Sequence, residues 1–333
     1  MADPKPADLV LSGGGVKGIG LVGAVVALMD ADYRAQRVSG TSAGSLVGAV
    51  VAAASMRDQL GPEEVKELAL QLDYRKFADP GPLERLPVLG PPLAVLRGNG
   101  LYKGDYAHDW VRSQLENLGV RTFGDLAIRD DTLPPEQRYK LVVTVADVTT
   151  GQLVRLPWDY RRVYGLDPDE QWVADAVRAS MAIPFFFRPV MLQSTTGLTS
   201  TLVDGGILSN FPIDSLDRGD GRKPRWPSFG VTVLPNLPEG NDKVIPGLAA
   251  IRMLGPPHLL ESVLTTLLVG HDQAYLSQPW VNARAIRVDS TDVSFLDFDI
   301  SDNEIEALYA KGYAAAETFL STWDWDAYLD RFR

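Results

Sequence analysis

RVSGTSAGSLVGAV, residues 37–50, contains Gly40-Thr41-Ser42-Ala43-Gly44. A G-x-S-x-G pentapeptide places a nucleophilic serine on a sharp turn between a strand and a helix. Both flanks agree with that context. YRAQRVSG (33–40) is short and ends in an apolar residue and glycine, as a strand would. AGSLVGAVVAAASM (43–56) has helix length, with Gly44, Gly48 and Ala52 on one side. Small residues at 40 and 44 allow the tight turn and close strand–helix packing. The alternative is that Ser42 only caps the helix. A nucleophilic serine also needs a base, usually histidine, and the chain has only His108, His258 and His271.

Further out, ADLVLSGGG (7–15) reads as a buried strand and a glycine turn. VKGIGLVGAVVALMDADY (16–33) reads as a helix, with Gly20, Gly23, Ala24 and Ala27 on one face. Strand, glycine turn, helix, strand, serine turn and helix in succession imply a parallel sheet with helices packed on it. Further strands are expected at 139–147, 201–204, 228–234 and 282–289. A terminal helix is expected over 301–323, opened by a Ser301/Glu304 capping box. The fold expected is α/β: a three-layer α/β/α sandwich with a mainly parallel central sheet.

Residues 79–100 break the pattern with five prolines and many leucines, so an excursion from the sheet is expected there. Arg75, Lys76, Arg85, Arg97 and Lys103 oppose only Asp79 and Glu84 in residues 74–103. Apolar side chains with local positive charge suit a lid that touches a lipid surface. A loop folded over the core would use the same leucines.

Gly13-Gly14-Gly15-Val16-Lys17-Gly18 also fits the dinucleotide fingerprint G-x-G-x-x-G. That fingerprint requires an acid at the end of the next strand to hold the ribose. Here the strand ends Arg37-Val38-Ser39-Gly40 and leads into the serine turn. An oxyanion hole fits better: free glycine amides at a helix start face a developing negative charge. Lys17 is either near an anionic substrate group or a solvated surface lysine. Asp204-Gly205-Gly206 places an acid at a strand end before two glycines, which by itself is also an ordinary Asp-Gly turn.

The chain has 32 basic and 43 acidic residues, a net charge of −11. That argues against nucleic acid as a partner. With no cysteine, disulfides, thiolate zinc sites and cysteine nucleophiles are excluded. No ligand cluster for a metal is visible and no cofactor is expected. The N-terminal residues do not resemble a secretory signal, and the longest apolar runs are about half a membrane span. A soluble cytoplasmic chain is expected.

SGGGVKG, GTSAG and DGG, in that order, resemble the motifs of the patatin-like phospholipases. AVRASMAIPFFFRPV (176–190) and SFLDFDISDNEIEALYAKGYAAAETFL (294–320) extend the resemblance over most of the chain. The resemblance implies a single patatin-like catalytic domain over residues 1–333, with 74–103 as its lid. It implies Ser42 as nucleophile, Asp204 as base without histidine, and an oxyanion hole at Gly13, Gly14 and Gly15. Lys17, Gly18, Gly40, Gly44, Gly205 and Gly206 support these motifs. The implied reaction is hydrolysis of lipid acyl esters through an acyl-serine, with peripheral membrane contact. Alternatives are an acyltransferase or soluble carboxylesterase on the same fold, or a non-catalytic nucleotide-binding regulator using Gly13–Gly18.

Overall fold

The computed structural model describes residues 4–57, 59–80, 100–233, 266–267, 273–293 and 297–333. His258, His271 and residues 81–99 of the proline-rich segment lie outside the described residues. In chain order the main elements are β1 (Lys5–Leu11), α1 (Gly18–Asp30), β2 (Tyr33–Thr41), α2 (Ala43–Ser55), α3 (Pro62–Leu70), α4 (Asp105–Asn117), β3 (Leu141–Asp147), β4 (Gln152–Leu156), α5 (Val173–Ser180), β5 (Val190–Gln193), β6 (Thr199–Asp204), β7 (Ser228–Thr232), β8 (Ala285–Arg287), α6 (Asp302–Leu320) and α7 (Trp325–Phe332).

β1 opens with two exposed residues and then buries five in a row. Uninterrupted burial means that both sheet faces are covered. Alternate residues accordingly enter different cores: Leu9 and Leu11 pack with α1 and α2, while Val10 packs with Phe211 and Ile213 on the opposite face. The small-residue stripe of α1 does what its spacing predicts. It brings Gly20 and Gly23 against Gly312 and Tyr309 of α6. The capping box of α6 is formed, with Ser301 Oγ accepting from the Glu304 amide and Glu304 accepting from the Ser301 amide. Among the described residues no helix is long and apolar enough to cross a membrane.

The strands form one mixed sheet in the order β5-β6-β3-β2-β1-β7-β8, with β4 also paired to β3. The run β3-β2-β1-β7-β8 is parallel. β4, β5 and β6 add antiparallel pairs. β4 and β5 escape the sequence reading because they are only five and four residues long. β5 alternates half-buried and exposed residues over four positions, and β4 exposes Gln152.

One detail of register positions the site. β4 occupies one edge of β3 along residues 143–147. β2 and β6 therefore share the other edge end to end, approaching from opposite directions. Thr41, the last residue of β2, pairs with Thr144, and Asp204, the last residue of β6, pairs with Val145. Two strand ends remote in sequence thus converge on adjacent residues of β3.

Candidate active site

Ser42 follows Thr41 directly and is held at φ +53°, ψ −124°. Positive φ is rare for any residue but glycine and is sustained only by the surrounding structure. The reason for holding it is geometric: the chain must reverse from strand to helix within one residue. Ser42 occupies the N-cap position of α2, yet its hydroxyl makes no capping hydrogen bond. The reading of Ser42 as a mere helix cap is thereby removed. Gly44 permits the turn, since a Cβ there would lie 2.3 Å from the Leu11 carbonyl oxygen.

The backbone of Ser42 is fixed by a residue that sequence reasoning did not single out. Its amide donates to Ser180 Oγ at 2.8 Å, and the Ser180 hydroxyl donates to the Thr144 carbonyl at 2.7 Å. Ser180 ends α5 inside the RASMAIP stretch, where nothing about an isolated serine marks it out. Ser180→Ala leaves a buried amide and a buried carbonyl without this partner. It is expected to cost about 1–3 kcal/mol of stability, read as a lower urea midpoint. An unchanged midpoint would show that the hydroxyl is dispensable.

Asp204 is fully buried. Its Oδ1 accepts from the Gly206 amide at 2.7 Å, and its own amide donates to the Ala182 carbonyl. Oδ2 makes no completed hydrogen bond among the described residues. Burial raises its pKa to about 7, against the opposing pull of the Ser42 hydroxyl and the Gly206 amide. Ser42 is thus the side chain close enough to act on this carboxyl, although the contact is looser than a formed hydrogen bond. Such looseness is ordinary without substrate. Gly205 lies tightly against the Thr144 carbonyl, so the turn after Asp204 packs on the same hub as Ser180.

The glycine loop after β1 closes the site from the other side. A Cβ on Gly13 would lie 3.0 Å from Ser42 Cβ and 2.1 Å from Asn210 Oδ1. Gly18, at the start of α1, abuts Ala43. The Gly13 amide, however, donates to the Asn210 carbonyl at 3.1 Å, so it is not free to meet an anion. The Gly14 and Gly15 amides find no acceptor among the described residues. Ala43, first in α2, carries one of the amides a helix start leaves unsatisfied.

Lys17 is not a surface lysine. It is 4% exposed, and burial lowers its pKa to about 8 against the opposing effects of Asp289 and Asp292. His108 sits elsewhere: its Nε2 lies 2.7 Å from Asp175 Oδ1, an interaction that raises its pKa.

Ser42 and Gly15 line a cavity of about 60 Å³. Ala43, Leu46, Val47, Val50 and Val51 line it, all on one face of α2. No charged side chain among the described residues lines it. The described residues place a strained serine and Gly15 in an apolar cavity, with the buried carboxyl of Asp204 at the neighbouring strand end. The cavity can therefore hold an extended apolar group with a reactive polar end at Ser42.

Residues 9–217 match the patatin family, described as patatin-like phospholipase. The chain is 35% identical over 322 residues to the uncharacterized protein YqhO of Bacillus subtilis (strain 168), covering 95% of this chain and 98% of that protein. Its structure is similar to VipD from Legionella pneumophila, with a TM-score of 0.52 and 19% identity, over 96% of this chain and 67% of that one. The serine turn, the glycine loop and the strand-end aspartate all lie within the matched region, and the chain belongs to the patatin-like phospholipase family.

Proposed function

We propose that this chain is a serine hydrolase of lipid acyl esters. The observation that carries the reading is an apolar cavity lined by a strained, uncapped serine, with a buried carboxyl at the neighbouring strand end. An alkyl chain in that cavity gains from leaving water, and its ester carbonyl then lies at Ser42.

In the proposed reaction Ser42 Oγ attacks the ester carbonyl carbon while its proton passes to Asp204 Oδ2. The negative charge forming on the carbonyl oxygen is met by the amides of Gly14 and Gly15, with Ala43 as a third donor. The intermediate collapses, the C–O bond to the alcohol breaks, and Asp204 returns the proton to the departing alkoxide. Water then attacks the acyl-serine while its proton goes to Asp204, the acyl C–O bond to Ser42 breaks, and Asp204 returns the proton to Ser42 Oγ, releasing a fatty acid and the free serine. A carboxyl with pKa near 7 is a better base than an ordinary aspartate. Esters also ask less of the base than amides, because an alkoxide leaves more readily than an amine. The nucleotide-binding alternative draws no support from a cavity without charged side chains.

The test treats purified protein with a fluorophosphonate probe and, separately, with phosphatidylcholine vesicles and p-nitrophenyl esters. Expected results are covalent label on the peptide bearing Ser42 and release of free fatty acid. A folded protein that neither labels nor releases acyl groups from any of these esters overturns the reading.

A further inference from the structure

The cavity at Ser42 does not run on indefinitely. It follows one face of α2 from Ser42 to Val51 and is walled by Val65, Leu68 and Ala69 of α3. Beyond it lies a second cavity of about 40 Å³, reaching Val25, Leu28, Met29 and Leu60. Val51 and Val65 line both cavities, and both are nearly inaccessible to solvent, at 5% and 4% exposure. They stand between the cavity at Ser42 and a second, mostly apolar space that Arg34 and Ser55 also line.

We infer that Val51 and Val65 are the floor of the acyl site and set the longest acyl chain this protein accepts. The inference rests on the hydrolase reading for its chemistry but on the two cavities for its geometry. From Ser42 to Val51 is nine residues of helix, about 13 Å. An extended chain advances about 1.2 Å per bond, so this length sets an upper bound of roughly ten or eleven carbons counted from the carbonyl. Each methylene buried within that length strengthens binding about fourfold. A carbon beyond the floor gains nothing and must displace a valine from a close-packed core.

Two series of equal length range test this. Saturated fatty acids of eight to sixteen carbons are titrated into the protein, and p-nitrophenyl esters of the same lengths are hydrolysed. Affinity and kcat/KM are expected to rise with length and to break no later than about eleven carbons. Val51→Ala and Val51→Ala/Val65→Ala open the partition into the second cavity, and the sixteen-to-eight-carbon ratio should rise at least about tenfold. Val65→Leu thickens the floor and should move the break to shorter chains, so the inference does not depend on the larger deletion folding. Smooth growth of affinity through sixteen carbons in the unmodified protein overturns the inference. So does a break that stays in place in folded variants of both kinds. A binding break that moves as described while no ester is hydrolysed upholds the floor and removes the hydrolase reading.

Discussion

Ser42→Ala is expected to lower kcat/KM for p-nitrophenyl esters by on the order of 10⁴-fold or more, as loss of a nucleophile does elsewhere. Among the described residues lining the cavity, Ser42 is the one serine or threonine, and the elbow at φ +53° holds it there. The substitution should leave the fold nearly as stable as before. The Ser42 hydroxyl makes no cap to α2, and the amide bond to Ser180 is backbone and survives. Fluorophosphonate labelling should disappear together with turnover. Labelling that persists in the alanine variant would place the nucleophile at another residue.

Asp204→Asn is expected to remove at least about 10³-fold in rate and, unusually for an active-site change, to stabilise the protein at alkaline pH. The rate follows from the base: only the ionised carboxyl takes the Ser42 proton, so activity should fall as pH drops through about 7, the raised pKa of Asp204. The stability effect follows from the same shift. The pKa is raised by burial from an ordinary 3.8, so between pH 3.8 and about 7 the folded chain holds a proton that the unfolded chain has lost. Folding stability contributed by this group therefore declines as pH rises through that window, the reverse of a salt-bridged aspartate. Above pH 7 the full penalty of a buried carboxylate is present, at most about 4 kcal/mol for a shift of this size. Asparagine keeps an acceptor for the Gly206 amide and carries no charge. Its urea midpoint should exceed that of the unmodified protein at pH 8 and match it near pH 4. Equal midpoints at both values would mean that Asp204 is not held in an environment hostile to charge.

The histidines give the complementary expectation. His108 is bonded to Asp175, away from the cavity lining. Changing His108, His258 and His271 together to Gln should leave most of the rate and the limb near pH 7. A folded but inactive triple variant would restore a conventional triad.

Much of this molecule was readable before any coordinates. The turn at Ser42 and the glycine loop are local features, and the physics that forms them is local too. The buried end of a parallel strand favours apolar and small residues, its reversal into a helix needs small residues at fixed offsets, and a capping box marks a helix start where it occurs. β1, α1, β2, α2 and the Ser301/Glu304 box follow from those rules. Other features had no local signal. β4 and β5 are short antiparallel strands whose place depends on the edges β3 leaves open. Lys17 read as well for a surface residue, and only the packing of the glycine loop buries it. Gly13 looked equal to Gly14 and Gly15 until Asn210, distant in sequence, took its amide. Ser180 gained its role from the neighbouring Thr144 carbonyl and Ser42 amide.

The sequence by itself determined which residues could react: a serine at an elbow, an acid at a strand end, glycines with free amides. Each motif also has a plainer use, as a helix cap, an Asp-Gly turn or a dinucleotide loop, and it is their order along the chain, through its resemblance to a known family, that narrows the choice. Only the tertiary structure decided that the strand ends bearing Ser42 and Asp204 converge. They do so because β2 and β6 run toward each other along one edge of β3 and stop at adjacent residues, Thr144 and Val145. Such a register is fixed by burial and strand pairing across the whole sheet, and no stretch of the chain encodes it alone.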